Sequence, residues 1–154
     1  MPTLMFVCTA NLCRSPIAAV LFRQWLQRQS VSGDWHVLSC GIWAKEGSSL
    51  PSPVQQSLLG MGIDLTQHRS CSVTADRLAG ADLVLCMTRL HKEVLHAEFL
   101  RFAGRIHLLS QMIGQADDVL DVEAFTPDQC ARVVKELTGI IENAGDHILA
   151  MLQL

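Results

Sequence analysis

Residues 6 to 16 read FVCTANLCRSP, which places the thiol of Cys8 six residues ahead of the guanidinium of Arg14, with a second thiol, Cys13, between them. An ionised thiol is a strong nucleophile, and a guanidinium offers a planar fork of donors matched to phosphate oxygens. The segment from Thr9 to Cys13 is long enough to turn successive backbone N–H groups inward as an anion nest. A helix that starts near Ser15 would add its N-terminal dipole to the same point. This surrounding favours ionisation of Cys8 and places a sulfur anion beneath a bound tetrahedral dianion. The chemistry it suggests is attack of sulfur on phosphorus. Thr9, Ala10, Asn11, Leu12, Cys13, Arg14 and Ser15 are the candidate phosphate-binding residues.

Such a loop needs a strand before it and a helix after it. Thr3 to Cys8 is an unbroken apolar run, short enough for a strand buried on both faces. Ser15 is placed as an N-cap and Pro16 as N1, ahead of Ile17, Val20, Leu21 and Trp25 at helical spacing. Further strands are expected at His36 to Gly41, 82–87 and 105–110. Helices are expected through Val54, Leu58 and Leu59, over 74–81, over 88–100, and from Thr126 (N-cap), Pro127 (N1) and Gln129 (N3, a capping box) onward. Residues 114–125 read as a polar loop. Strands alternate with helices and no internal repeat interrupts them. The expected fold is a single α/β domain, 1–154, with a four-stranded parallel sheet, right-handed crossovers and helices on both faces. In such sheets, ligands sit at the carboxyl ends of the strands.

Composition narrows the function. The 154 residues are 49% hydrophobic and 18% charged with a net charge of −3, which argues for a folded chain and against a general nucleic-acid binder. The opening Met-Pro-Thr-Leu-Met lacks the basic and apolar regions of a signal peptide, and no apolar run reaches the roughly 20 residues of a bilayer span. No membrane partner is expected. Six cysteines at 8, 13, 40, 71, 86 and 130 lack zinc-knuckle spacing, and suit free thiols in a reducing cytoplasm. Cys40, Cys71, Cys86 and Cys130 read as small buried hydrophobes. No metal or other cofactor is called for.

The stretch FVCTANLCRSPIAAVLF resembles the low-molecular-weight protein tyrosine phosphatases, with their Cys-x5-Arg-Ser-Pro close to the N-terminus. LSCGIWA (38–44), GIDLTQHRS (62–70) and ADLVLCMTRLHKEVL (81–95) resemble further segments of that family, in order and at matching spacings. The resemblance implies a sheet order of 2-1-3-4 with the phosphate loop after the first strand. It implies Cys8 as nucleophile, Arg14 as phosphate clamp, and Ser15 as a donor to the Cys8 sulfur. It implies that Asn11, Ser39 and His68 hold the loop by hydrogen bonds. It also implies a reversible disulfide between Cys8 and Cys13 that would shelter the nucleophile from overoxidation. The substrate would be a phosphotyrosine protein, an autophosphorylating tyrosine kinase among the candidates.

Release of a phenolic oxygen needs a proton donor. The family takes it from an Asp-Pro before the last helix, and aligning that helix's apolar pattern puts Asp121 at the Asp. Val122 replaces the proline, and Asp117 and Asp118 stay as rival acids. The chain has no tyrosine to line a cleft, which leaves Trp43 as the aromatic near its mouth. Ala10 stands where many members have glycine, a change that requires a negative φ there.

Three other functions share these features. A thioredoxin-coupled arsenate reductase would use Cys86 as a relay, but needs a resolving thiol where the chain has Glu93. A protein arginine phosphatase would favour threonine where Leu12 stands; leucine suits an aryl ring better. A non-catalytic phosphate-binding module would explain the missing proline after Asp121.

Overall fold

The computed structural model describes residues 1–31 and 33–153. Strands β1 (Thr3–Cys8), β2 (His36–Gly41), β3 (Leu83–Cys86) and β4 (Ile106–Leu108) form one parallel sheet in the order β2-β1-β3-β4. This is the expected order. Helices α1 (Arg14–Arg28), α2 (Ser52–Gly60), α3 (Ala75–Ala79), α4 (Arg89–Glu98) and α5 (Pro127–Leu152) cover both faces.

β1 shows why the apolar run had to be a strand. Its side chains alternate between two cores, so both faces need apolar residues. Leu4 and Phe6 point into the core shared with α1, α2 and α5, whereas Met5 and Val7 join Leu78, Leu95 and Phe102 on the other face. On the first face Phe6 meets Phe22 edge-on at 6.1 Å, and Phe22 stacks on Trp25 at 5.7 Å. Trp25 in turn presses on α5 at Gly145, where an added Cβ would lie 2.3 Å from the indole. The close contact of α1 and α5 therefore requires glycine there.

Several local expectations are corrected. α1 begins at Arg14, with Cys13 at the N-cap position and no side-chain cap, so Ser15 is not the cap and Pro16 lies two residues deeper, at N3. Pro16 still costs nothing, because the first-turn amides have no intrahelical acceptor. The Ser15 hydroxyl is engaged in the loop instead. The strand expected at 105–110 is only Ile106–Leu108, flanked by 3₁₀ turns at Leu100–Arg105 and Leu109–Ile113. Thr126 caps α5 as expected, accepting from the Gln129 amide at 3.3 Å. The Gln129 side chain, however, reaches past Thr126 to the amides of Glu123 (2.6 Å) and Ala124 (3.1 Å). It thus ties down the loop before α5 rather than closing a capping box. Among the described residues, no helix is long and apolar enough to cross a membrane.

Candidate active site

β1 ends at Cys8, α1 starts at Arg14, and the turn between them lies at the carboxyl edge of the sheet. Cys8 is 2% exposed and Arg14 is 3% exposed. The Cys8 sulfur lies 2.9 Å from the Ser15 hydroxyl. Among the described residues, the amides of Thr9, Ala10, Asn11, Leu12 and Cys13 have no backbone or side-chain acceptor. Five amides in a row without protein partners, beside a thiol and a guanidinium, make a site for an anion.

The turn is held from behind by Asn11. This residue has φ of 58°, a left-handed conformation that asparagine tolerates better than most residues. Its side-chain amide donates to Ser15 Oγ and Ser39 Oγ, each at 2.9 Å, and its Oδ1 accepts from the Cys71 amide at 3.0 Å. His68 Nε2 donates to the Asn11 carbonyl at 2.7 Å, which fixes the tautomer. Ala10 is not among the positive-φ residues, so its Cβ is accommodated. Gly41 lies against the turn: a Cβ there would sit 2.4 Å from Thr9 O and 2.9 Å from the Asn11 amide nitrogen. A side chain at 41 would push the loop out of shape.

Arg14 is fixed as firmly as the loop. Nη1 donates to Val119 O at 2.9 Å, and Nη2 donates to Thr9 Oγ1 at 3.2 Å. Val119 is buried, and its own amide donates to Met87 O just after β3 (2.9 Å). The loop before α5 is thus docked two residues ahead of Asp121. Asp121 Oδ2 then lies 3.3 Å from Arg14 Nη2, with its side chain 57% exposed. Of the rival acids, Asp118 has its carboxylate engaged elsewhere, and Asp117 is tied down through its backbone. Asp118 Oδ1 accepts from the Arg89 amide at 2.9 Å, and Asp117 offers its carbonyl to Ser110 at 2.7 Å.

Sequence reasoning assigned no role to His91, which lies 1% exposed on α4. The Thr88 amide donates to its Nδ1 at 3.2 Å, so the proton sits on Nε2 and is donated to Thr9 Oγ1 at 2.8 Å. Burial first, and then the charge of Arg14, lower its imidazole to about 4. The only hint in the sequence was its position three residues after the Thr88 cap. Because an unfolded imidazole titrates near 6.5, the unfolded chain takes up a proton that the folded chain refuses until about 4. Stability present above pH ~6.5 should therefore decline as pH falls toward ~4. Urea midpoints across that window should depend less on pH in His91→Leu; an unchanged slope would show that His91 is not held neutral. His68 and His107, also lowered by burial, are common to both proteins and cancel.

The remaining candidates are placed as follows. Leu12 is half-buried and packs, like Val122, on the core shared with α1. The Trp43 amide donates to Thr9 O at 3.0 Å, which keeps this 62% exposed residue beside the loop. Cys13 is buried with its sulfur 3.7 Å from Cys130, and its donation to Cys130, together with burial, pushes its thiol up. Cys86 is fully buried, with its thiol pushed up to about 12 by desolvation, which makes it a poor relay. Cys71 departs from the expectation of buried cysteines. It is half-buried, and its sulfur meets that of Cys40.

Comparison with known proteins agrees with this arrangement. The family described as low molecular weight phosphotyrosine protein phosphatase matches residues 3–153. A protein-arginine-phosphatase of Bacillus subtilis strain 168 is 34% identical over 119 residues, covering 77% of each chain. The crystal structure of a low molecular weight protein tyrosine phosphatase from T. tengcongensis superposes with a TM-score of 0.83 at 33% identity, over 93% of this chain and 97% of that one. A cysteine-to-serine mutant of YwlE arginine phosphatase, solved with its active-site serine phosphorylated, superposes with a TM-score of 0.83 at 30% identity, over 92% and 91% of the two chains. The chain belongs to the low molecular weight protein tyrosine phosphatase family and is a phosphatase of that type.

Proposed function

We propose that the protein hydrolyses aryl phosphate monoesters, with phosphotyrosine side chains of proteins as substrates, through a phosphocysteine on Cys8. The observation that carries this reading is the run of unpartnered amides from Thr9 to Cys13, set between Cys8 and the buried, pre-positioned Arg14. The phosphate dianion binds those amides and Arg14, displacing the Asp121 carboxylate from its ion pair, and the freed carboxylate takes up a proton from solvent. The Cys8 thiolate attacks phosphorus, the P–O bond to the phenol breaks, and Asp121 supplies the proton to the departing oxygen. Asp121 then takes a proton from water, which attacks the phosphocysteine and breaks the S–P bond. Ser15 Oγ–H steadies the sulfur as it leaves, while Asn11, Ser39 and His68 keep the loop in shape. Leu12 and Trp43 offer apolar contact to an aromatic ring. An autophosphorylated tyrosine kinase is a fitting partner.

The relative named an arginine phosphatase supports a second reading, with phosphoarginine as substrate. The two readings differ in the group beside Leu12. Steady-state kcat/KM on phosphotyrosine, phosphoarginine and phosphoserine peptides of matched sequence should rank phosphotyrosine first, with phosphoserine slowest for want of a good leaving group. A preference for phosphoarginine would replace the first reading with the second.

A further inference from the structure

Behind the loop, on the side away from Cys8, two other cysteines meet. Gly41 at the end of β2 bridges Ser72 in parallel register, and the Gly41 amide donates to Cys71 O at 2.9 Å. Cys40 and Cys71, one residue earlier on each side, have their sulfurs 3.3 Å apart. Neighbouring strands run about 4.8 Å apart, within the Cα range of about 4.4–6.8 Å that a disulfide tolerates. Cys40 is buried, whereas Cys71 is half-buried. Both line a surface cavity of about 280 Å³ together with Arg23, Arg69 and Arg77. The Cys40 thiol donates to the Cys71 sulfur, and this donation, aided by Arg77, lowers the Cys71 thiol to about 7 against desolvation and the charge of Glu46. The same donation, with burial, pushes Cys40 up. The pair is therefore asymmetric: one reachable sulfur able to ionise, and one buried thiol against it.

We propose that Cys40 and Cys71 form a reversible disulfide on exposure to hydrogen peroxide, a modification site separate from Cys8, and that its closure acts on the loop through Asn11. The Cys71 thiolate attacks one peroxide oxygen. The O–O bond breaks, hydroxide leaves, and Cys71 becomes a sulfenic acid. The Cys40 sulfur then attacks the Cys71 sulfur, the S–S bond forms, and the S–O bond breaks. The hydroxyl departs as water with the Cys40 proton, and the two thiols have given two electrons to the peroxide. Coupling to the loop follows from the contacts of Cys71. Its amide donates to Asn11 Oδ1 at 3.0 Å, and its sulfur donates to Ser39 O at 3.2 Å, next to the hydroxyl that holds Asn11 Nδ2. Oxidation removes the S–H donation and draws the two sulfurs from 3.3 Å to about 2.05 Å, which disturbs the anchor of a residue held at φ of 58°. This coupling rests on the phosphatase reading of the loop; the disulfide does not.

The test is to treat the protein with hydrogen peroxide, cap free thiols with N-ethylmaleimide, digest with trypsin and weigh the peptides. Cys40 falls in peptide 29–45 and Cys71 in 70–77, while Cys8 and Cys13 share peptide 1–14. Peptides 29–45 and 70–77 should be recovered linked, and separate again with dithiothreitol. In Cys40→Ser, Cys71 should accumulate as sulfenic and sulfinic acid; in Cys71→Ser, Cys40 should stay a thiol. Full alkylation of both cysteines at peroxide concentrations that oxidise peptide 1–14 would overturn the proposal. For the coupling, Cys8→Ser protein is titrated with inorganic phosphate before and after oxidation. Severalfold weaker binding after oxidation is expected, and equal affinity would overturn the coupling. Absence of phosphate binding in both states would instead count against the phosphatase reading, with the linked peptides still standing.

Discussion

Cys8→Ser is expected to reduce hydrolysis of para-nitrophenyl phosphate to background, a loss of at least about 10⁴-fold. The serine oxygen would occupy nearly the same buried position, 2% exposed at the end of β1, so the fold and the anion site should survive. What is lost, on the proposed mechanism, is the sulfur that attacks phosphorus. Serine leaves the amides of Thr9 to Cys13 and Arg14 in place, and the variant should still bind inorganic phosphate. Turnover and binding would then separate. EDTA should leave the wild-type rate unchanged, because Arg14 and the loop amides carry the charge stabilisation. Near-normal turnover by Cys8→Ser would end the covalent mechanism.

Asp121→Ala is expected to lower kcat for the same substrate by about 100-fold, within the usual range for general acid–base catalysis. The loss should grow for phenols that leave less readily, since those depend most on a proton. Asp117→Asn and Asp118→Asn should stay near wild type, because the first residue makes its contact through a backbone carbonyl that asparagine keeps, and the carboxylate of the second is turned to the Arg89 amide. An unchanged rate in Asp121→Ala, with a loss in either of the others, would move the acid to that residue. The ion pair with Arg14 at 3.3 Å explains how a loop without proline is still held. Val119, docked on Met87 and on Arg14, and Gln129, reaching back to Glu123 and Ala124, supply the restraint that a proline ring would have given.

The sheet was legible because β1 and β3 are apolar runs buried on both faces, and strand alternates with helix along most of the chain, a pattern few folds accommodate. The 3₁₀ turns flanking β4 were not, because a short apolar run reads alike as strand or tight helix. Ser15 shows a different kind of limit. Its residue type signals a cap, yet the hydroxyl is taken up by Cys8 and Asn11, a tertiary demand that overrides the local one. His91 was hidden for the reason that most buried polar contacts are. Its partner, Thr9, lies 82 residues away, and nothing periodic links them. Cys40 and Cys71 lie 31 residues apart and meet only because the segment after His68 lies parallel beside the end of β2. Residues brought together by one turn could be read from spacing; residues brought together by sheet register could not.

The most direct measurement is a crystal structure of the protein soaked in orthovanadate, which takes the five-coordinate shape of a phosphoryl group in transfer. Vanadium bonded to Cys8 Sγ, its equatorial oxygens held by the Thr9 to Cys13 amides and Arg14, with Asp121 next to the apical oxygen, is the predicted result. Vanadate bound elsewhere, or a Cys8 sulfur with no bond to vanadium while the loop keeps its present shape, would contradict it.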